Sequence, residues 1–223
     1  MEHPLNIFSF LPHEIQAKYI HVLMTFIVVL ITFVIGSIAS KMRSEIPSKG
    51  QNIFELLVSG IYNMAIDIMG EEGKPYIPLI FAIGLYVFFS NVLGLIPGFL
   101  SPTSNLNSTV APAIIVFLVY NFIGFKKHGL GYIKHFMGPM LALAPLMLII
   151  ELIGHLSRPL SLSMRLFGNI FGEDLVIAIL FVLVPYLVPL PMFFMGVFTS
   201  ALQTYVFMML SMIYISGALE EAH

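Results

Sequence analysis

The chain has 223 residues, of which 58% are apolar and only 10% charged, where a soluble domain carries roughly 25% charged residues. A mean hydropathy of +0.96 excludes an ordinary water-soluble domain, and a formal charge of −2 leaves no basic footprint for nucleic acid. With zero cysteines, disulfides, thiolate metal sites and thiol nucleophiles are excluded as well.

Residues 1–18 read as a short polar and aromatic leader containing Pro4 and Pro12. The apolar run 19–40 follows a mixed-charge segment and is too long for the core of a signal peptide. It predicts a first span, long enough at 1.5 Å per residue to cross a hydrocarbon core of about 30 Å. Lys41, Arg43 and Lys49 follow it. Over 51–70, Asn52, Glu55, Ser59, Asn63 and Asp67 recur at three- and four-residue spacing, with Ile53, Leu56, Leu57, Ile61, Met64 and Ile68 filling the other side. That pattern predicts an amphipathic helix lying along the membrane surface.

No charged residue occurs from Pro75 to Phe125. Two spans are expected there, over 76–97 and 108–125, separated by turn formers at Gly94 to Gly98 and Ser101 to Ser108. Lys126, Lys127 and Lys134 come after the second of them, whereas the loop between the two has no charge. The positive-inside rule then places both basic loops in the cytoplasm and the N-terminus outside. Beyond Pro139, the residues Pro145, Pro159, Pro185, Pro189 and Pro191 predict bent or broken helices, over 139–157, 159–184 and 191–218. Together they make two further crossings, the first out and the second in, which return the C-terminus to the cytoplasm. The expected fold is an all-α polytopic membrane protein, one membrane domain over 1–223, with about five membrane-crossing helices plus the surface helix.

Only five Asp, Glu, Lys or Arg residues lie between Phe136 and Leu219, and Arg165 is near the middle of them. A guanidinium at the bilayer centre costs roughly 2.5–3.5 kcal/mol on insertion scales and stays protonated at physiological pH. On a helix at 100° per residue, Ser161, Arg165, Asn169 and Gly172 form one stripe. Glu173 lies about 80° round and Asp174 on the opposite side, so neither pairs with the arginine at i,i+4 spacing. Its counter-ion is expected from another chain. Glu151, His155 and Arg158 form a second set, either a local ion pair between Glu151 and Arg158 or a wet, acidic path toward the arginine. Thr199, Gln203 and Thr204 add polar groups to the last helix, beside Gly196 and Ser200.

The segment Arg158-Pro-Leu-Ser-Leu-Ser-Met-Arg165-Leu-Phe-Gly-Asn169-Ile resembles the hallmark of subunit a of F-type ATP synthases, the stator half of a rotary ion motor. Glu151, Glu173-Asp174, Leu202-Gln203-Thr-Tyr-Val-Phe, Asn91-Val-Leu-Gly-Leu-Ile-Pro97 and the Pro102 to Thr109 loop are similar to that family too. The resemblance covers about residues 75 to 221. It implies a ring of small hairpin subunits, each with one membrane-embedded carboxylate, facing Arg165 as an essential separator. Gln203 would stand opposite the arginine as a hydrogen-bonding neighbour, Asn169 and Ser161 would line the face near the ring, Asp174 with Glu173 the outer half-channel, and Glu151 the cytoplasmic one. Two long, tilted C-terminal helices would curve around the ring, and 51–70 would lie near a peripheral stalk subunit. The catalytic headpiece would be reached only indirectly. No cofactor or metal is implied, and the arginine would act as an electrostatic gate on protons or sodium ions, with no chemistry of its own. The short leader, without transit-peptide character, points to a bacterial plasma membrane.

Two departures from the family pattern stand out. Gly196 falls where some members carry an ionisable residue, and Asn105 occupies a position that is acidic in some relatives. Two other classes are less well served by these residues. A transporter acting alone would show inverted repeats, and none is visible. An intramembrane hydrolase or acyltransferase would need a nucleophile constellation, for which His155 with Ser161 or Glu151 is the nearest approach and carries no motif.

Overall fold

A computed structural model describes residues 13–41, 49–96, 99–129, 144–183 and 189–220. The expectations resting on residues 1–12, on Arg43, on Pro97 and Gly98, on Lys134 and Pro139, and on Pro185 lie outside the described residues. Among those described there are six α-helices, two 3₁₀ turns and no strand. The helices are α1 (His13–Lys41), α2 (Lys49–Met69), α3 (Ile77–Gly94), α4 (Leu106–His128), α5 (Ala144–Leu183) and α6 (Pro189–Leu219). Five segments are long and apolar enough to cross a membrane, namely Tyr19–Ile38, Glu71–Gly94, Leu106–His128, Leu146–Leu180 and Pro191–Leu219. The chain is an all-α, multi-pass membrane protein, and α2 is the helix outside that set.

The prolines predict a break at residue 158 that does not occur. Helix α5 runs through Pro159 for 40 residues. Proline removes one N–H and so leaves the carbonyl four residues back, that of His155, without its helical donor. In a bilayer no water competes for the rest of the ladder, so the loss of one bond does not end the helix. Ser163 reinforces the next turn, donating to the carbonyls of Pro159 at 2.9 Å and Leu160 at 3.0 Å. At 1.5 Å per residue α5 is about 60 Å long, twice the hydrocarbon thickness. It cannot stand upright within the core, and α6, with 31 residues, is also longer than an upright span requires.

The core lies where α3, α4, α5 and α6 meet. Ile80, Val87, Tyr120, Leu166, Phe207 and Met212 are among its buried members. Without a hydrophobic drive between helices in lipid, close approach of backbones at small residues does much of the work. Gly84 is such a point, since a Cβ there would strike the sulfur and Cγ of Met208 on α6. Gly84→Val is expected to overpack this contact and cost about 1–3 kcal/mol, read as a lower unfolding temperature in detergent.

Helix α2 lies against this core through Ile61, Met64, Ala65, Ile68 and Met69. It leaves Leu56, Leu57 and the polar set Asn52, Glu55, Ser59, Asn63 and Asp67 exposed. The Ser216 hydroxyl donates to the Ile68 carbonyl at 2.9 Å, tying α2 to α6. Beside it, the Lys127 ammonium donates to the Glu72 carboxylate and, at 2.6 Å, to the Leu219 carbonyl. The C-terminal ends of α4 and α6 therefore share one side of the bundle, called here the basic end. The opposite end is the α3–α4 loop. There Ser101 donates to the Ser90 carbonyl at 2.9 Å, Thr103 to Asn91 at 2.7 Å, and Asn105 caps α4 by accepting from the Asn107 N–H at 3.0 Å. Met24 and Val28 of α1 pack on Leu93 at this loop end.

Candidate functional site

Helix α5 has an inner and an outer face. Leu162, Leu166, Ile170 and Ile177 are buried against the bundle. Ser161, Arg165, Gly168 and Asn169 are exposed on the other side, between exposed Met164 and Phe171. This is the stripe that the helical spacing predicts. A Cβ built on Gly168 or Gly172 would meet nothing within 4 Å, so the surface around the arginine is open as well as low. No ion pair or hydrogen bond engages Arg165 among the described residues. A charge of this kind, on an apolar face within a membrane-crossing segment, requires a polar partner or water if it is not to pay the insertion penalty in full.

Helix α6 supplies the adjoining polar groups. The Asn169 side-chain amide donates to Gln203 Oε1 at 2.8 Å, and Gln203 is itself only 5% exposed. Gln203 is thus bonded one turn beyond Arg165, to Asn169, rather than to the arginine itself as the resemblance implies. Farther toward the loop end, the Thr199 hydroxyl donates to the Glu173 carboxylate at 2.8 Å. The other oxygen of that carboxylate occupies the space a Cβ on residue 196 would need. The absence of a side chain at Gly196 is therefore what admits Glu173 between α5 and α6. Asp174 is half-buried next to it.

Asn91 and Ser200 join this region, and reasoning from the sequence did not place them in the site. Leu95 approaches Gly196, and Gly84 approaches Met208. This antiparallel register brings Asn91 level with Ser200. Ser90 Oγ, Asn91 Nδ2, Ser200 Oγ and Glu173 Oε1 are all buried without a hydrogen-bond partner in the protein. Such groups are expensive to bury unpaired and are suited to bonding ordered water. The signal in the sequence is the Ser90-Asn91 dipeptide, a polar pair inside the apolar run of α3.

The third set lies toward the basic end. No ion pair forms between Glu151 and Arg158. The Arg158 guanidinium instead lies over two tyrosine rings, 5.3 Å from the centroid of Tyr214 and 5.7 Å from that of Tyr120. His155 is buried, stacked on Tyr120 at 5.5 Å, with its Nδ1 3.1 Å from the tyrosine hydroxyl. Glu151 is partly exposed and makes no ion pair or hydrogen bond among the described residues. Counting along α5, Glu151 is about 21 Å from Arg165 toward the basic end and Glu173 about 12 Å toward the loop end. The acidic groups therefore lie on opposite sides of the arginine stripe along the helix. Among the described residues no group of three His, Asp or Glu is arranged to hold a metal ion.

The chain matches the family described as ATP synthase A chain over residues 22–216. It is 51% identical over 229 residues to ATP synthase subunit a of Geobacter sulfurreducens and 50% identical over 230 residues to that of Trichlorobacter lovleyi. It is 47% identical over 239 residues to that of Syntrophobacter fumaroxidans. In all three cases the alignment covers 100% of both chains. A multi-pass helical fold, an exposed arginine on its longest helix and similarity over the full length lead to the same place: the chain belongs to the family of subunit a of F-type ATP synthases.

Proposed function

We propose that this chain forms two offset ion half-channels beside a rotating ring, with Arg165 as the fixed charge that separates them. The observation that carries the proposal is the placement of Arg165, on an open face with no ion pair or hydrogen bond among the described residues, between acidic groups on either side of it along α5. Each subunit of the ring, a small hairpin, would bring one membrane carboxylate to this face. An opposite charge at close range favours the ionised carboxylate, so a site passing Arg165 would give up its proton or sodium ion. It would be reloaded from the other half-channel. The permanent charge of the guanidinium would also block an ion from passing straight between the two paths.

The outer path runs past Asp174 and Glu173 and the unpaired polar groups of Asn91 and Ser200, and reaches the stripe at Gln203 and Asn169. The cytoplasmic path opens at Glu151. This orientation follows from the basic end carrying Lys126 and Lys127, with the N-terminus outside and the C-terminus in the cytoplasm of a bacterial cell. Exposed Asn52, Glu55, Ser59, Asn63 and Asp67 on α2 would face a peripheral stalk subunit, and the catalytic headpiece would be engaged only through other subunits. Each elementary charge crossing 100 mV carries about 2.3 kcal/mol, so several ions must pass for each ATP made.

The native chain has no cysteine, which makes a contact test direct. Gly168→Cys is expected to form a disulfide with a cysteine placed beside the ring carboxylate when the assembled complex is oxidised in its own membrane. A cysteine in place of buried Ile123 is expected to form none. Absence of a ring adduct from position 168, with the subunit present at normal level, would sink the proposal.

A further inference from the structure

The Arg158 guanidinium has an acidic side chain on its own helical face and does not use it. Glu151 and Arg158 are seven residues apart, about 10 Å along the helix and on the same side. Two long side chains can close that gap. The guanidinium lies instead over Tyr214 at 5.3 Å and Tyr120 at 5.7 Å, rings contributed by α6 and α4. Both distances are within the roughly 6 Å over which a cation is held by an aromatic face. Tyr120 is fixed in turn, being 1% exposed, stacked on His155 and within hydrogen-bonding distance of its Nδ1. Tyr120 and Tyr214 also lie against each other, with centroids 6.0 Å apart. Three helices therefore meet at one side chain.

We infer that Tyr120 and Tyr214 are positioning residues of the cytoplasmic path, which cage Arg158 and so keep it from pairing with Glu151. The inference rests on Glu151 lining that path, as proposed above. A carboxylate that must repeatedly take up and pass on a proton works poorly when a guanidinium is clamped to it. A contacting opposite charge favours the ionised form by about ten- to a thousandfold. An aromatic cage answers this by satisfying the arginine with ring faces that carry no net charge and do not titrate with it. His155 belongs to the same cage, since it braces Tyr120 from the α5 side.

The test uses the assembled complex in inverted membrane vesicles, with ATP-driven acidification as the readout and the membrane level of the subunit as a control. Tyr214→Leu frees Arg158 and is expected to slow acidification about tenfold or more. Tyr214→Phe retains the ring and is expected to behave as wild type. The double variant Tyr214→Leu/Arg158→Gln is expected to recover most of the rate, because the freed guanidinium is then gone. A double variant as slow as Tyr214→Leu alone would assign the defect to lost packing and overturn the inference. Glu151→Gln separates the two layers of the argument. If it leaves acidification unchanged, the cytoplasmic-path assignment fails and the inference with it. If it impairs acidification while Tyr214→Leu does not, only the cage is refuted.

Discussion

Replacing Arg165 by alanine is expected to abolish ATP synthesis driven by an ion gradient while leaving ATP hydrolysis by the headpiece intact once the two are uncoupled. Two effects add in the same direction. Without a guanidinium opposite the ring, the ionised carboxylate loses a stabilisation of about ten- to a thousandfold, so release on the passing site slows by that order. Without a fixed positive charge between the two paths, ions also cross without turning the ring. The measurement is the ATP-driven gradient in inverted vesicles together with the passive ion leak of the same membranes. Coupled pumping at the wild-type rate would sink the separator role. Because Arg165 is exposed and makes no ion pair or hydrogen bond among the described residues, the fold should tolerate its loss. A failure of assembly is thus not the expected outcome, and the level of subunit in the membrane checks it.

The second large effect is expected at Gly196. A leucine there would drive the Glu173 carboxylate out of the space it fills and press on Leu95, just past the end of α3. Overpacking of this kind costs about 1–3 kcal/mol, visible as a lower unfolding temperature of the complex. The hydrogen bond from Thr199 to Glu173 goes with it. A hydrogen bond to a charged group is worth about 1.5–3 kcal/mol, so the positioned carboxylate becomes about tenfold scarcer or more. Transport is expected to fall in step. The double variant Glu173→Ala/Gly196→Leu distinguishes the two losses. Removing the obstructed carboxylate should restore much of the stability and none of the transport. Normal transport in Gly196→Leu alone would remove Glu173 from the outer path.

These two substitutions differ in how far they could be read beforehand. Arg165 is conspicuous in the sequence because a permanent cation stands near the middle of a long apolar stretch with no acidic residue at i,i+4 spacing. Its stripe with Ser161 and Asn169 follows from helical geometry and holds in three dimensions. Gly196 carries no such mark. In the sequence it is a gap where some relatives carry an ionisable residue. The structure accounts for the gap, since Glu173 reaches across from α5 into it. No periodicity within one helix can report which side chain of a neighbouring helix occupies a missing Cβ.

The proline-rich half shows the same limit from the other direction. Pro159 is a helix breaker by local rules, and it predicts two helices where α5 is one. The rule is right about the lost hydrogen bond and wrong about its consequence, because in a membrane no water waits to take the place of the ladder. Glu151 and Arg158 likewise offer an ion pair by spacing alone. The choice between that pair and the cation–aromatic cage depends on Tyr120 and Tyr214, 38 and 56 residues away from Arg158 in the chain.

Composition and helical periodicity alone give the solvent, the number of membrane-crossing segments, the amphipathic character of α2 and the outward stripe around Arg165. Each of these depends on residue type and on a period within a single helix. Which polar groups meet depends on the packing of the helices. It bonds Gln203 to Asn169, lodges Glu173 over Gly196, brings Asn91 level with Ser200, and turns Arg158 onto its tyrosines. Contacts between helices are set by their relative register and rotation, which come from packing the whole bundle and leave no trace in any one helical repeat.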